Sequence, residues 1–316
     1  MQRRNLGRSG LEVSVVGLGC NNFGGSRIDR EASRKVIHKA LDSGITLLDT
    51  ADTYGNRGES EKILGECLGS RRKEIVLATK FGLPMDEAGM LRGASRRYIL
   101  SAIDASLERL KTDWIDLYIV HRPDPRTPIE ETLRALDDLV RAGKVRYTGC
   151  STFASWQVVE AQWTARHHGL HHFVTCQDQY NLLRREIETS LQPAMDAYGL
   201  GLIPHTPLAA GLLSGKYRRQ APMPAGARMT REKRQAERWI TDANWQAVER
   251  LSAFSEAHGR SLLELAMSWL ASRPGVASII AGATTPEQVA LNARAVDWQL
   301  TAEDLAAIDQ MTGRSE

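Results

Sequence analysis

The chain has little of what would mark a secreted scaffold, a membrane protein or a nucleic-acid binder. Only four cysteines occur in 316 residues, Cys20, Cys67, Cys150 and Cys176, with no CxxC pair and no His/Cys cluster at metal spacing. That scarcity argues against a disulfide framework or a zinc module; it predicts reduced thiols in the cytoplasm and no metal site. No apolar run approaches the ~20 residues of a membrane span. The opening Met1-Gln2-Arg3-Arg4-Asn5 lacks the apolar stretch of a secretory leader. Excess charge is scarce too: the formal net charge is +3, with basic residues interspersed among acidic ones, so a broad footprint for nucleic acid is not expected. Also missing is the third glycine of a GxGxxG turn, because the first strand candidate ends Gly17-Leu18-Gly19-Cys20-Asn21-Asn22. An open, doubly wound dinucleotide-binding sheet would normally carry it.

What is present is a repeating strand–helix order. Apolar residues make up 42% of the chain and charged residues 25%, which suits one domain over residues 1–316 with a sizeable core. Residues Arg4 to Gly19 read as a hairpin followed by a first strand. Further β-branched and leucine runs lie at Ile45–Leu48, Ile75–Thr79, Ile115–Val120, Val145–Ser151, Phe173–Gln177, Leu200–His205 and Ala277–Gly282. Between them, residues 30–43, 96–110 and 128–141 place apolar side chains at helical spacing. Eight strands with intervening helices predict a (β/α)8 TIM barrel, with an N-terminal β-hairpin and a long loop after strand 7 at Leu212–Trp239. A loop of that length reads as a lid over a site, and Arg231–Arg238 within it as a solvated loop or helix.

Three of the apolar runs end in an ionisable residue. Asp49 follows the second strand, Lys80 the third and His121 the fourth, and Tyr54 lies in the loop beyond Asp49. In a parallel α/β barrel the C-terminal strand ends share one face, and that face carries the chemistry. An ammonium beside a phenol favours the phenolate, so Lys80 is expected to lower the Tyr54 hydroxyl while Asp49 keeps Lys80 charged. A tyrosine tuned in this way can pass a proton at neutral pH, and His121 can polarise a carbonyl. The same lysine could instead serve as a Schiff-base nucleophile, the chemistry of an aldolase on the same fold. Thr285-Pro286-Glu287-Gln288 separately reads as a helix start, with Thr285 as N-cap, Pro286 in the first position and Gln288 able to close a capping box. The N–H groups of such a helix end suit a phosphate.

Asp49-Thr-Ala-Asp-Thr-Tyr54-Gly, Ala78-Thr-Lys80 and Tyr118-Ile-Val-His121 together resemble the tetrad of the aldo-keto reductases. Asn5-Leu-Gly-Arg-Ser-Gly-Leu-Glu-Val-Ser, Gly149-Cys-Ser-Thr-Phe153, Pro207-Leu-Ala-Ala-Gly-Leu-Leu-Ser-Gly-Lys216 and Gly282-Ala-Thr-Thr-Pro-Glu-Gln288-Val-Ala-Leu-Asn292 extend the resemblance along the chain. The branch it is most similar to holds bacterial aryl-alcohol dehydrogenase-like reductases and potassium-channel β subunits. The resemblance implies NADP(H)-dependent reduction of aldehydes or ketones, or the reverse, with Tyr54 as general acid, Lys80 and Asp49 tuning it and His121 orienting a small-molecule carbonyl or alcohol. It implies a cofactor site made by Ser151, Gln177, His205, Thr206, Leu208, Lys216, Arg228, Gly282, Thr284, Gln288 and Asn292, with NADPH preferred over NADH. Thr152 and Thr284 depart from the commoner family residues, Asn at the first and Arg or Ser at the second. His205 could stack on a nicotinamide or simply pack. A channel-type protein that binds NADPH as a redox sensor fits the same residues. Phe23, Phe81, Tyr217 and Trp239 are candidate walls of the substrate cavity, with the loops Arg122–Glu130 and Leu212–Trp239 shaping it.

Overall fold

The computed structural model describes residues 1–25 and 27–312. Strands β1 (Arg3–Asn5) and β2 (Glu12–Ser14) pair antiparallel as the predicted hairpin. One parallel sheet then holds β3 (Val16–Gly19), β4 (Leu47–Asp49), β5 (Val76–Phe81), β6 (Ile115–Val120), β7 (Val145–Ser151), β8 (Phe173–Gln179), β9 (Gly201–His205) and β10 (Ile279–Gly282). Its order is sequential from β3 to β9, and β10 pairs with β3. Leu202 of β9 closes the ring: its N–H donates to Gly275 O at 2.8 Å and its carbonyl accepts from Ala277 N at 2.9 Å. The result is a (β/α)8 barrel.

Around the barrel run α1 (Arg30–Asp42), α2 (Tyr54–Leu68), α3 (Arg96–Leu110), α4 (Ile129–Arg141), α5 (Ser155–His168) and α6 (Leu191–Tyr198). After β9 come α7 (Arg228–Arg231), α8 (Lys233–Trp239), α9 (Asp242–Ala257) and α10 (Leu262–Ser272), and after β10 come α11 (Pro286–Arg294) and α12 (Ala302–Met311). The helix starts follow their capping residues. Asp29 and Ser95 accept from Ala32 N and Tyr98 N, and Ser261 makes a full capping box with Glu264. Within the long segment Leu212–Trp239, α8 takes the helical alternative expected for Arg231–Arg238, and α7 and a 3₁₀ turn at Ala209–Ser214 add further regular structure. Trp239, fully buried, anchors its end in the core.

Strand alternation decides which residues reach the site. In β5 every residue is buried, the mark of a parallel strand covered on both faces. Successive side chains nevertheless point to opposite sides. Leu47, Val76, Ala78, Leu117, Ile119, Ile203, Ala277 and Ile280 form the apolar filling of the barrel, closed below by Leu6 and Val13 of the hairpin. Two residues further along the same strands lie Asp49, Lys80, His121, His205 and Gly282, which therefore form the uppermost layer inside the barrel. The odd residues of β5, Leu77 and Phe81, pack outward against the helices. The hairpin fits under the barrel because Gly7, at φ +60°, lets the turn touch backbone. A Cβ there would lie 2.5 Å from Gly199 O and 2.6 Å from Gly201 N.

Candidate active site

Lys80 is fully buried and donates to Asp49 Oδ2 at 2.7 Å, to Thr50 O at 2.9 Å and to the Tyr54 hydroxyl at 3.4 Å. The other carboxylate oxygen of Asp49 accepts from Gln177 Nε2 at 2.9 Å. The ring of His121 meets that of Tyr54 edge-on with centroids 5.7 Å apart. Asp49, Tyr54, Lys80 and His121 thus form one constellation at the C-terminal end of the barrel.

The electrostatics correct one expectation. Burial pushes the Tyr54 phenol above its usual value, and the Lys80 charge opposes that shift without reversing it. The lysine does favour the phenolate, but desolvating the phenolate costs more. For Lys80, burial acts to lower the ammonium, yet Asp49 and Tyr54 outweigh it and the net shift is upward. His121 is pushed down to about 2 by burial first, then by the charges of Lys80, Arg122 and His205. Its imidazole is therefore neutral at physiological pH. His121 Nδ1 is buried and has no hydrogen-bond partner among the described residues.

A cavity of about 640 Å³ opens above this layer, within the range of small-molecule sites. Asp49, Tyr54 and His121 line it, with Lys80 beneath. So do Ser151, Gln177, His205, Thr206, Leu208, Lys216, Arg228, Gly282, Thr284, Gln288 and Asn292. The cavity also gathers strained backbone. Thr152, Thr206 and Ala210 line it with φ of 56°, 55° and 56°, and Asn56 and Arg57 follow Tyr54 at 63° each. For non-glycine residues this conformation costs roughly 1–2 kcal/mol each, and it persists where the surroundings fix it. The four proposed wall aromatics are elsewhere: Phe23, Phe81 and Trp239 are fully buried, Tyr217 is 3% exposed, and none lines the cavity. Phe81 follows inward-facing Lys80, so it must face outward, where it stacks on Tyr118 at 4.6 Å.

Sequence reasoning missed Asn22 and Arg27 and included Arg122 and Arg231 only as members of loops shaping the cavity; all four line it. Arg27 donates to Asn22 Oδ1 and, at 2.5 Å, to Glu232 Oε1, while Arg228 Nε donates to Glu232 Oε2 at 3.3 Å. Glu232 thereby ties the loop after β3 to the segment after β9. The available signal was Arg27 beside Gly24-Gly25 directly after a barrel strand; Arg122, next to His121, had the same positional cue.

With this geometry in hand, comparison with known proteins is decisive. The sequence pattern of the Aldo/keto reductase family matches residues 15–312. The chain belongs to the aldo/keto reductase family. Among its relatives, a probable voltage-gated potassium channel subunit beta of Oryza sativa subsp. japonica is 36% identical over 307 residues, covering 94% of this chain and 92% of the relative. The uncharacterized oxidoreductase YrpG of Bacillus subtilis is 36% identical over 321 residues, covering 98% and 96%. The L-glyceraldehyde 3-phosphate reductase of Escherichia coli O157:H7 is 34% identical over 322 residues, covering 98% and 92%. This aldo/keto reductase is an oxidoreductase.

The far side of the reductase's cavity is rich in donors. Burial and the charge of Arg228 push the Arg27 guanidinium down, against Glu232. Lys216, lowered by burial, has no carboxylate partner among the described residues. Thr285 caps α11 by accepting from Gln288 N at 3.3 Å, with Pro286 in the first position. The Gln288 side chain does not close a capping box. Its Oε1 accepts instead from Thr284 N at 2.8 Å and from the Thr284 hydroxyl at 3.1 Å, two donors where a box offers one. Asn22 Nδ2 donates to Ala283 O at 3.2 Å, which holds the loop before α11.

Proposed function

We propose that the chain is an NADP(H)-dependent carbonyl reductase, with Tyr54 as the proton donor. The observation that carries this reading is the buried Lys80, shared between Asp49 at 2.7 Å and the Tyr54 hydroxyl at 3.4 Å. The donor set fits a dinucleotide. Lys216 lacks a carboxylate partner, Arg228 and Arg231 line the cavity, and Gln177, whose amide nitrogen is committed to Asp49, keeps Oε1 able to accept from a carboxamide. Ser151 and Gln177 would hold the nicotinamide end, with His205 against its ring. Thr206, Leu208, Lys216, Arg228, Gly282, Thr284, Gln288 and Asn292 would hold the remainder. Bound there, the cofactor would supply hydride to the carbonyl carbon.

The protein's residues then manage the oxygen. Neutral His121 donates a hydrogen bond to the carbonyl, which orients and polarises it without adding a charge. Tyr54, held protonated by burial, has the proton that the developing alkoxide needs. Lys80 stabilises the phenolate left behind, and Asp49 keeps Lys80 protonated. A Schiff-base lysine must be available as the neutral amine, and Lys80 is shifted the opposite way, so the aldolase reading is disfavoured. The channel-subunit relatives keep a second reading open for test: a cofactor-binding sensor with little turnover. Oxidation of NADPH by the purified chain across a panel of aldehydes and ketones separates the two. Rapid turnover of at least one carbonyl supports the reductase, whereas tight cofactor binding without turnover supports the sensor.

A further inference from the structure

A second cavity, of about 320 Å³, lies at the other end of the barrel from Tyr54. The hairpin turn at Arg8 and Ser9, the beginnings of β7 and β8 and the end of α6 enclose it. Its charge is one-sided: Arg8 and Arg146 line it beside the imidazoles of His171 and His172, and no lining residue is acidic. His171 is committed to Asp137 Oδ1 at 2.6 Å. The guanidinium groups of Arg8 and Arg146 have no carboxylate or carbonyl acceptor among the described residues, and the His172 ring has none either.

The stem of Arg8 is held in place. The Arg8 backbone N–H donates to Gly199 O at 2.9 Å, and its stem lies over Gly199, where a Cβ would stand 2.4 Å from Arg8 Cδ. Gly199 itself is the left-handed cap of α6, at φ 72°. Arg146 sits beside the Trp114 ring, with 6.0 Å from Cζ to the centroid. Tyr147, Tyr198, Val140 and Val174 supply apolar lining to the same cavity. Unpaired guanidiniums, both exposed to solvent here, suit a phosphate, which they can meet with paired hydrogen bonds. The apolar wall suits a ring or short chain attached to it.

We propose that this lower cavity binds a small organic phosphate monoester, its dianion held by Arg8 and Arg146 and its apolar body against Tyr147 and Tyr198. The proposal does not depend on the chemistry at the barrel's upper end. The probe is phenyl phosphate, titrated by calorimetry into the full chain at low salt, with inorganic phosphate and benzoate in parallel. Hydrogen exchange locates the site.

Phenyl phosphate is expected to bind more tightly than either control and to protect residues 145–148 and 171–174. Arg8→Gln and Arg146→Gln should each weaken it about 10-fold, as loss of one charge-assisted contact does. The double variant should lose this binding while retaining the wild-type far-UV spectrum and thermal midpoint. Binding retained in the folded double variant would overturn the proposal, because the phosphate would then occupy the cationic upper cavity. Failure of wild type to bind the probe would overturn it equally, and equal affinity for inorganic phosphate would overturn the assignment of an organic ligand.

Discussion

Gln177 and Lys80 divide the carboxylate of Asp49 between them, one donating to Oδ1 at 2.9 Å and the other to Oδ2 at 2.7 Å. Gln177 comes from β8, four strands round the barrel from β4, so its amide braces the acid from across the mouth. Gln177→Leu removes the donor and leaves Asp49 Oδ1 buried without it. The expected cost is about 1–3 kcal/mol of stability, that of an unsatisfied buried acceptor. Urea unfolding would show it as a lower midpoint at unchanged slope. A loss under about 0.5 kcal/mol, the range of neutral surface substitutions, would mean that another donor serves that oxygen.

Asp49 and Lys80 should behave as one unit. Their side chains are 5% and 0% exposed, so removing either strands the other's charge in the interior. Asp49→Asn and Lys80→Met are each expected to cost about 3–5 kcal/mol, and the double variant less than the sum. A double-mutant cycle by chemical denaturation tests this. Strict additivity would show that the two charges do not support each other.

Asp52 gives stability a pH dependence of its own. Burial, then the charge of Glu61, raises its carboxyl to about 8, and its Oδ1 has no partner among the described residues. The folded state therefore holds a proton that the unfolded chain releases above about pH 4. Its stabilising effect is complete below that value and falls as pH rises towards 8, at up to about 1.4 kcal/mol per pH unit. Asp52→Asn cannot titrate. Its stability relative to wild type should rise between pH 4 and 8 in parallel denaturation series, and a pH-independent difference would contradict the assignment.

On the proposed function, Arg228 is expected to distinguish the two nicotinamide cofactors. A 2′-phosphate adds about −1.5 to −2 charges if it titrates like other phosphomonoesters, and the Arg228 fork lies among Arg27, Arg231 and Glu232. Arg228→Ala is expected to weaken NADPH about 10- to 100-fold and to leave NADH nearly untouched. Dissociation constants for both cofactors on both proteins decide it. Equal losses would show that Arg228 does not read the 2′-phosphate.

Much of the barrel and its upper layer was legible because two periodicities coincide. Apolar runs ending in Asp49, Lys80 and His121 mark strand ends, and the alternation of a strand then fixes which residues face inward. The same rule, applied to β5, would have placed Phe81 outside. Boundaries were less legible: Ile45 and Thr46 precede β4, which begins at Leu47, while β8 runs on to Gln179. Arg27 was not found, and Arg122 entered only as part of a loop, because a single arginine in a connection carries no periodicity and is ordinarily solvated. The Tyr54 shift was misjudged for a different reason. The sequence pairs a phenol with a lysine, but the cost of burying the phenolate depends on the packed surroundings, which no spacing encodes.

The most direct test of the account is hydride transfer by Tyr54→Phe, measured in a single turnover with NADPH and a carbonyl that wild type reduces. The phenol touches the Lys80 ammonium at 3.4 Å and lines the upper cavity, so on the proposed function its loss should remove the proton source and little of the cofactor site. The predicted result is NADPH affinity close to wild type with the chemical step slowed by about 10²- to 10⁴-fold, the usual contribution of general acid catalysis. A chemical step within a few-fold of wild type would contradict the assignment of Tyr54 as the proton donor.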